Sequence, residues 1–169
     1  MTRKEITDFY RLHGRRLYNM SYRILLNAED AEEIVQDTIL KYVTLPLPVR
    51  PLQEQQVSAW LARTCIRASI DRLRKYKREA LFREEYARET AGDTPEAEIP
   101  AEATAARILS AIGRLPDPYR LVVTLILTEG LDYEEIARYT GQRESTLRSR
   151  FLRGKQKLVT LLKEDGQPI

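Results

Sequence analysis

The side chains that most often carry covalent or metal chemistry are scarce in this chain. There is one histidine, His13, and one cysteine, Cys65. That excludes a disulfide framework and a multi-cysteine zinc site, and it removes most histidine-based catalysis. Carboxylates are plentiful but clustered. Five acids (Glu29, Asp30, Glu32, Glu33, Asp37) fall between residues 29 and 37 with no base among them. Four more (Asp93, Glu96, Glu98, Glu102) fall between 91 and 104, again without a base. Neither cluster has a histidine or cysteine beside it, and nothing points to the raised pKa that a general acid needs. The cations are the patterned feature. Residues 63–78 hold seven bases and one acid, a local balance of +6, and residues 138–163 hold eight bases and one acid, a balance of +7. Arginine blocks interleaved with Ser, Gln and Tyr do non-covalent chemistry: they neutralise phosphates and hydrogen-bond base edges. Two such blocks suggest two contacts with a polyanion, although each also reads as a solvated helix face.

Periodicity places these blocks on helices. Residues 3–26 carry Ile6, Phe9, Tyr10, Leu17, Met20, Ile24 and Leu25 at helical spacing, with Gly14 as a candidate break. Asn27 is the expected N-cap of the next helix, whose first-turn acids suit its dipole. That helix should stop near Thr44, because Pro46, Pro48 and Pro51 cannot continue it. LPLPVRPLQEQQ reads as an extended loop, and a helix restarts with Ser58 as N-cap and runs to about Arg88. The stretch AGDTPEAEIPAEAT, residues 91–104, has one large apolar side chain, Ile99, and reads as a flexible acidic linker. Four helices follow. The first spans 102–113; the second opens at Asp117-Pro118 and closes at Gly130; the third opens on the capping box Asp132-x-x-Glu135 and ends at Gly141; the fourth runs from Glu144 to Leu162. The fold class expected is all-α: two small helical domains joined by that linker, the C-terminal one a helix-turn-helix.

Projection at 100° per residue sorts the faces. In the last helix Leu147, Phe151, Gly154, Leu158, Leu161 and Leu162 form the core side. Ser145, Ser149, Leu152, Arg153 and Gln156 face away, with Arg148 on the flank. Arginine can read guanine in bidentate fashion, Ser and Gln can bond bases or phosphates, and Leu152 can meet a thymine methyl. In the 29–43 helix Ala31, Ile34, Val35, Thr38 and Tyr42 face the core. Glu29, Glu33, Gln36, Asp37, Leu40 and Val43 face outward, and apolar residues amid acids suggest a partner surface. In the following helix Arg63, Arg67, Asp71, Arg74 and Arg78 follow one stripe, with Tyr76 as a candidate base-stacking ring. Asp71 can support Arg67 and Arg74 within the helix. Trp60, Leu61 and Cys65 read as core.

The whole chain has 169 residues, 28 bases against 25 acids, and 43% hydrophobic residues. That is ordinary for a globular chain and too apolar for wholesale disorder. No apolar run approaches the ~20 residues that span a bilayer, so the expected compartment is the cytoplasm, without membrane insertion.

Together, AEDAEEIVQDTILK (28–41), WLARTCIRASIDRLRKYKR (60–78), LPDPYRLVVTLILTEGLDYEEIARYTG (115–141) and TLRSRFLRGKQKL (146–158) resemble a known family. The chain is similar to bacterial RNA polymerase sigma factors of the sigma-70 family, in the small extracytoplasmic-function group. The resemblance implies a region 2 domain over 1–90, a linker over 91–104 and a region 4 domain over 105–169. It implies a non-enzymatic promoter-specificity subunit with no cofactor and no metal. Its partners would be core polymerase (the β′ clamp helices and β flap), promoter DNA and an anti-sigma factor. Polymerase binding would fall to Glu29, Glu33, Gln36, Asp37 and Leu40. The −10 element would fall to the 45–57 loop with Arg63, Arg67, Arg74, Lys77 and Arg78. The −35 element would fall to Arg143, Ser145, Arg148, Ser149, Leu152, Arg153 and Gln156. Three features depart from the family pattern: Arg67 replaces Asn, the loop is dense in proline, and Arg143 replaces a Ser-type N-cap, forgoing ~1 kcal/mol of capping. A stand-alone helix-turn-helix regulator would carry the same C-terminal features, and pull-down of core polymerase separates the two.

Overall fold

A computed structural model describes residues 1–77 and 96–166. Among these are seven α-helices, in two compact units, Met1–Tyr76 and Lys77–Ile169. The first unit holds α1 (Arg3–Leu25), α2 (Ala28–Thr44) and α3 (Glu54–Lys77). A capping box of Thr2 and Glu5 opens α1. The helix passes through Gly14 without a break; Gly14 is buried, and a Cβ there would sit 3.2 Å from the Tyr10 ring. Leu26 ends α1 in the left-handed region, at φ 52°. The Asn27 side chain then accepts from the Asp30 amide at 3.0 Å, the cap expected for α2. Leu17, Met20 and Ile24 of α1 share one core with Ile34, Val35 and Ile39 of α2 and with Leu61, Ile66 and Ile70 of α3. Two polar contacts set α3 beside α1. The Ser69 and Ser21 hydroxyls hydrogen-bond at 2.8 Å, and the buried Cys65 thiol points at the Leu17 carbonyl at 3.6 Å.

Two further expectations in this unit are corrected. The proline-rich stretch contains a short 3-10 turn, Leu47–Val49. α3 starts a full turn before Ser58, at Glu54. Ser58 accepts from Arg16 Nη1 at 2.6 Å, so its side chain ties α3 to α1 and caps nothing. The expected end of this helix, near Arg88, lies outside the described residues.

The second unit holds α4 (Ala105–Gly113), α5 (Asp117–Val123), α6 (Tyr133–Thr140) and α7 (Glu144–Asp165). Thr104 caps α4 and Asp132 caps α6. Pro116, not Asp117, is the N-cap of α5; Asp117 is its first residue and bonds Arg120 at 2.5 Å. α5 widens into a π-helical turn over Thr124–Thr128, and Gly130, at φ 67°, then redirects the chain. Ala111, Ile112, Leu115, Val123, Leu158 and Leu162 form the core, and Ile99 and Ala103 pack against it. α7 approaches α5 at Gly154, where a Cβ would lie 2.7 Å from Val123 Cγ2 and 3.2 Å from Tyr119 Cβ. No helix among the described residues is long and apolar enough to cross a membrane.

Candidate nucleic-acid interface

In the second unit Gly141, at φ 72°, joins α6 to α7. Glycine adopts this left-handed conformation without a side-chain penalty. The α6–Gly141–α7 unit is the expected helix-turn-helix. Leu147, Gly154, Leu158 and Leu162 are buried and Phe151 half-buried. Ser145, Arg148 and Gln156 are exposed, while Ser149, Leu152 and Arg153 are half-buried. Arg143 is exposed and offers no side-chain cap to α7. Arg153 and Gln156 also line a groove of about 650 Å³ with Arg114, Pro116, Tyr119 and Lys157. The helical projection did not find this groove, because it depends on where α5 starts relative to α7. Two arginines are withdrawn from the surface. Arg150, counted in the basic block, is 4% exposed, and Arg120 is equally buried, which lowers its pKa by desolvation. Arg150 is therefore part of the packing of α7 and not of its outward face.

In the first unit α2 is sorted as its periodicity requires. Ala31, Ile34, Val35, Thr38 and Tyr42 are buried. Glu29, Glu33, Gln36 and Asp37 are exposed, and Leu40 stands 59% exposed among them, while Val43 is half-buried. Asp30 is the acid that turns inward. Its carboxylate takes a 2.8 Å bond from Arg72 Nη1 and a 3.2 Å bond from the Tyr76 hydroxyl. Arg72 Nη2 also bonds Glu33 Oε1 at 3.1 Å. The Glu33 bond raises the Arg72 pKa further, against desolvation. So one arginine of the α3 basic block is consumed in holding α2 against α3.

The stripe itself is outward: Arg63, Arg67 and Arg74 are exposed. Arg78 and the side chain of Lys77 lie outside the described residues. Tyr76 is exposed, with its hydroxyl engaged on Asp30. The 45–53 loop is tied from below. Arg50 donates to the Val43 and Leu45 carbonyls at 2.8 and 2.7 Å, and Tyr42 donates to the Pro51 carbonyl at 2.8 Å. Leu47, Val49 and Leu52 point into solvent. Sequence patterning missed Arg50, a lone cation among prolines with no periodic neighbour. Among the described residues no group of three His, Cys, Asp or Glu side chains could hold a metal ion.

Comparison with known proteins fits this arrangement. Residues 9–79 match the family model "Sigma-70 region 2" and residues 105–158 match "Sigma-70, region 4". The chain is 30% identical to the extracytoplasmic-function (ECF) RNA polymerase sigma factor SigM of Mycobacterium tuberculosis, over 92% of this chain and 76% of that protein. This chain belongs to the sigma-70 family, in its extracytoplasmic-function group. It is also 34% identical to the ECF RNA polymerase sigma factor SigE of Mycolicibacterium smegmatis, over 89% of this chain but only 59% of that longer protein. Against SigW of Bacillus subtilis it is 30% identical over 95% of this chain and 88% of the other. A solved sigma factor, RpoE from Bartonella quintana in complex with the anti-sigma factor NepR, shares the fold. Its TM-score is 0.55 at 22% identity, and the match covers 96% of this chain and 99% of that one. The first unit of this sigma factor is thus region 2, and α4–α7 are region 4.

Proposed function

We propose that this sigma factor is a promoter-specificity subunit that brings core RNA polymerase to a −35/−10 promoter and opens it. In this reading α2 docks on the polymerase clamp through Glu29, Glu33, Gln36, Asp37 and Leu40. The acids steer the encounter, and Leu40 supplies apolar burial at its centre. The proline-rich loop and Arg63, Arg67, Arg74, Lys77 and Arg78 hold the −10 strand once it is unpaired. Cations there neutralise phosphates, and the exposed apolar loop tips meet bases. Region 4 reads the −35 duplex with Ser145, Arg148, Ser149, Leu152, Arg153 and Gln156, and Arg143 meets a phosphate. No bond is made or broken by the protein: trapping unpaired bases drives melting. An anti-sigma factor, of the kind crystallised with the Bartonella protein, would act by covering these faces.

The observation that carries the reading is the outward face of α7, where arginine, serine and glutamine surround Leu152 directly after the Gly141 turn. Arg153→Ala is expected to weaken −35 discrimination by about tenfold, the order of one bidentate base contact. Selection of −35 sequences from a randomised library by the reconstituted holoenzyme measures it. An unchanged selected sequence would remove α7 from base readout.

A further inference from the structure

Tyr133 stands against the recognition face without belonging to the residues assigned to it. It is the first residue of α6, fixed by the Asp132 cap, whose Oδ1 accepts from the Glu135 amide at 2.8 Å. Its half-buried ring meets the Phe151 ring edge-on, with centroids 6.3 Å apart and planes at 70°. The Arg148 guanidinium carbon lies 5.1 Å from the centre of the Tyr133 ring. Arg148 and Phe151 are three residues apart on α7, hence neighbours on its surface. One ring thus grips the core side of the helix and its outward flank together. Among the described residues Arg148 has no carboxylate partner. Lys155, on the same flank seven residues on, is paired with Glu96 at 3.8 Å. Burial raises the Tyr133 pKa, so the ring that Arg148 meets is neutral.

Bidentate bonding to guanine needs the guanidinium edge-on to the base, in one plane. An exposed arginine samples many rotamers, and most of them miss that plane. A ring face under the guanidinium removes much of this freedom before DNA arrives. We propose that Tyr133 is a positioning residue for base readout, its ring holding Arg148 in the orientation that meets a −35 base edge. This rests on α7 being the −35 reader.

The test uses the full chain, reconstituted with bacterial core polymerase and selected on promoters randomised across the −35 element. Tyr133→Phe keeps the ring and should keep the wild-type preference. Tyr133→Leu should lose about three- to fivefold discrimination at one base pair, the same one that Arg148→Ala flattens, and leave the other positions intact. In an Arg148→Ala background, Tyr133→Leu should change nothing further. Tyr133→Met, which better fills the space against Phe151, replaces Tyr133→Leu should the latter fail to fold. Loss spread evenly over all −35 positions, or a Tyr133→Leu effect that persists without Arg148, would overturn the inference and leave Tyr133 a packing residue. Wild-type preference unaltered by Tyr133→Leu overturns it too. A wild-type holoenzyme with no −35 preference would instead overturn the assignment of α7, and the inference with it.

Discussion

Gly154 is the residue at which α7 is seated on α5. With Val123 Cγ2 2.7 Å from where a Cβ would stand and Tyr119 Cβ at 3.2 Å, even one added methyl pushes α7 off α5. Gly154→Ala is expected to lower region 4 stability by about 1–3 kcal/mol, despite alanine's better helix propensity. Calorimetric melting measures it, and an unchanged or raised transition would contradict the close approach. Tyr10 gives a pH signature in region 2. Its hydroxyl donates to Glu32 Oε1, and that bond, with burial and the Glu32 charge added, holds its pKa up to about 12. The folded state keeps this proton more tightly than the unfolded chain, whose tyrosines titrate near ~10. The contribution is therefore complete below pH ~10 and is lost as pH rises toward ~12. Ultraviolet titration should show a tyrosine ionising near pH 12 that Tyr10→Phe removes and Glu32→Gln shifts down. A titration unchanged in both variants would contradict the bond.

At the scale of elements, Arg50 decides the state of the loop between α2 and α3. Its bonds to the Val43 and Leu45 carbonyls replace the ladder that the prolines cannot make. Arg50→Ala should speed amide exchange across residues 45–52 by about tenfold, the worth of one or two such bonds, while α1–α3 stay protected. Equal protection in wild type and variant would mean that the prolines alone hold the loop. Helices α2 and α6 were legible in the sequence, because apolar period and caps agree: Asn27 and Asp132 each cap as their types require. What was not legible depends on partners distant in sequence. Gly14 reads as a candidate break but is buried against Tyr10 in an unbroken α1, and Ser58 reads as a cap until Arg16 reaches it. The π-helical turn at Thr124–Thr128 has no local signal either. Most of the candidate site was legible, since an outward helix face is set by spacing alone. Tyr133 and Arg50 were missed because they act by touching residues of another element or by folding back on the backbone.

Across the whole molecule, the net charge of +3 conceals its use. Two basic blocks are offset by the acids of α2 and of residues 91–104, and the structure divides the blocks further. Arg72 is bonded to Asp30 and Glu33, and Arg150 is buried, so neither belongs to the outward basic faces. Among the described residues of the two blocks, Arg63, Arg67, Arg74 and Lys75 in region 2 and Arg138, Arg143, Arg148, Lys157 and Lys163 in region 4 are exposed. In the proposed function, the two regions would act together on one promoter, carried by one large polymerase. The proposed function requires that the chain confer promoter choice on core polymerase. Run-off transcription from templates randomised at −35 and −10, with core enzyme and with or without this chain, tests it most directly. Transcripts are expected only when the chain is added, from templates sharing one −35 and one −10 sequence. Transcripts independent of the chain, or none from any template, would contradict it.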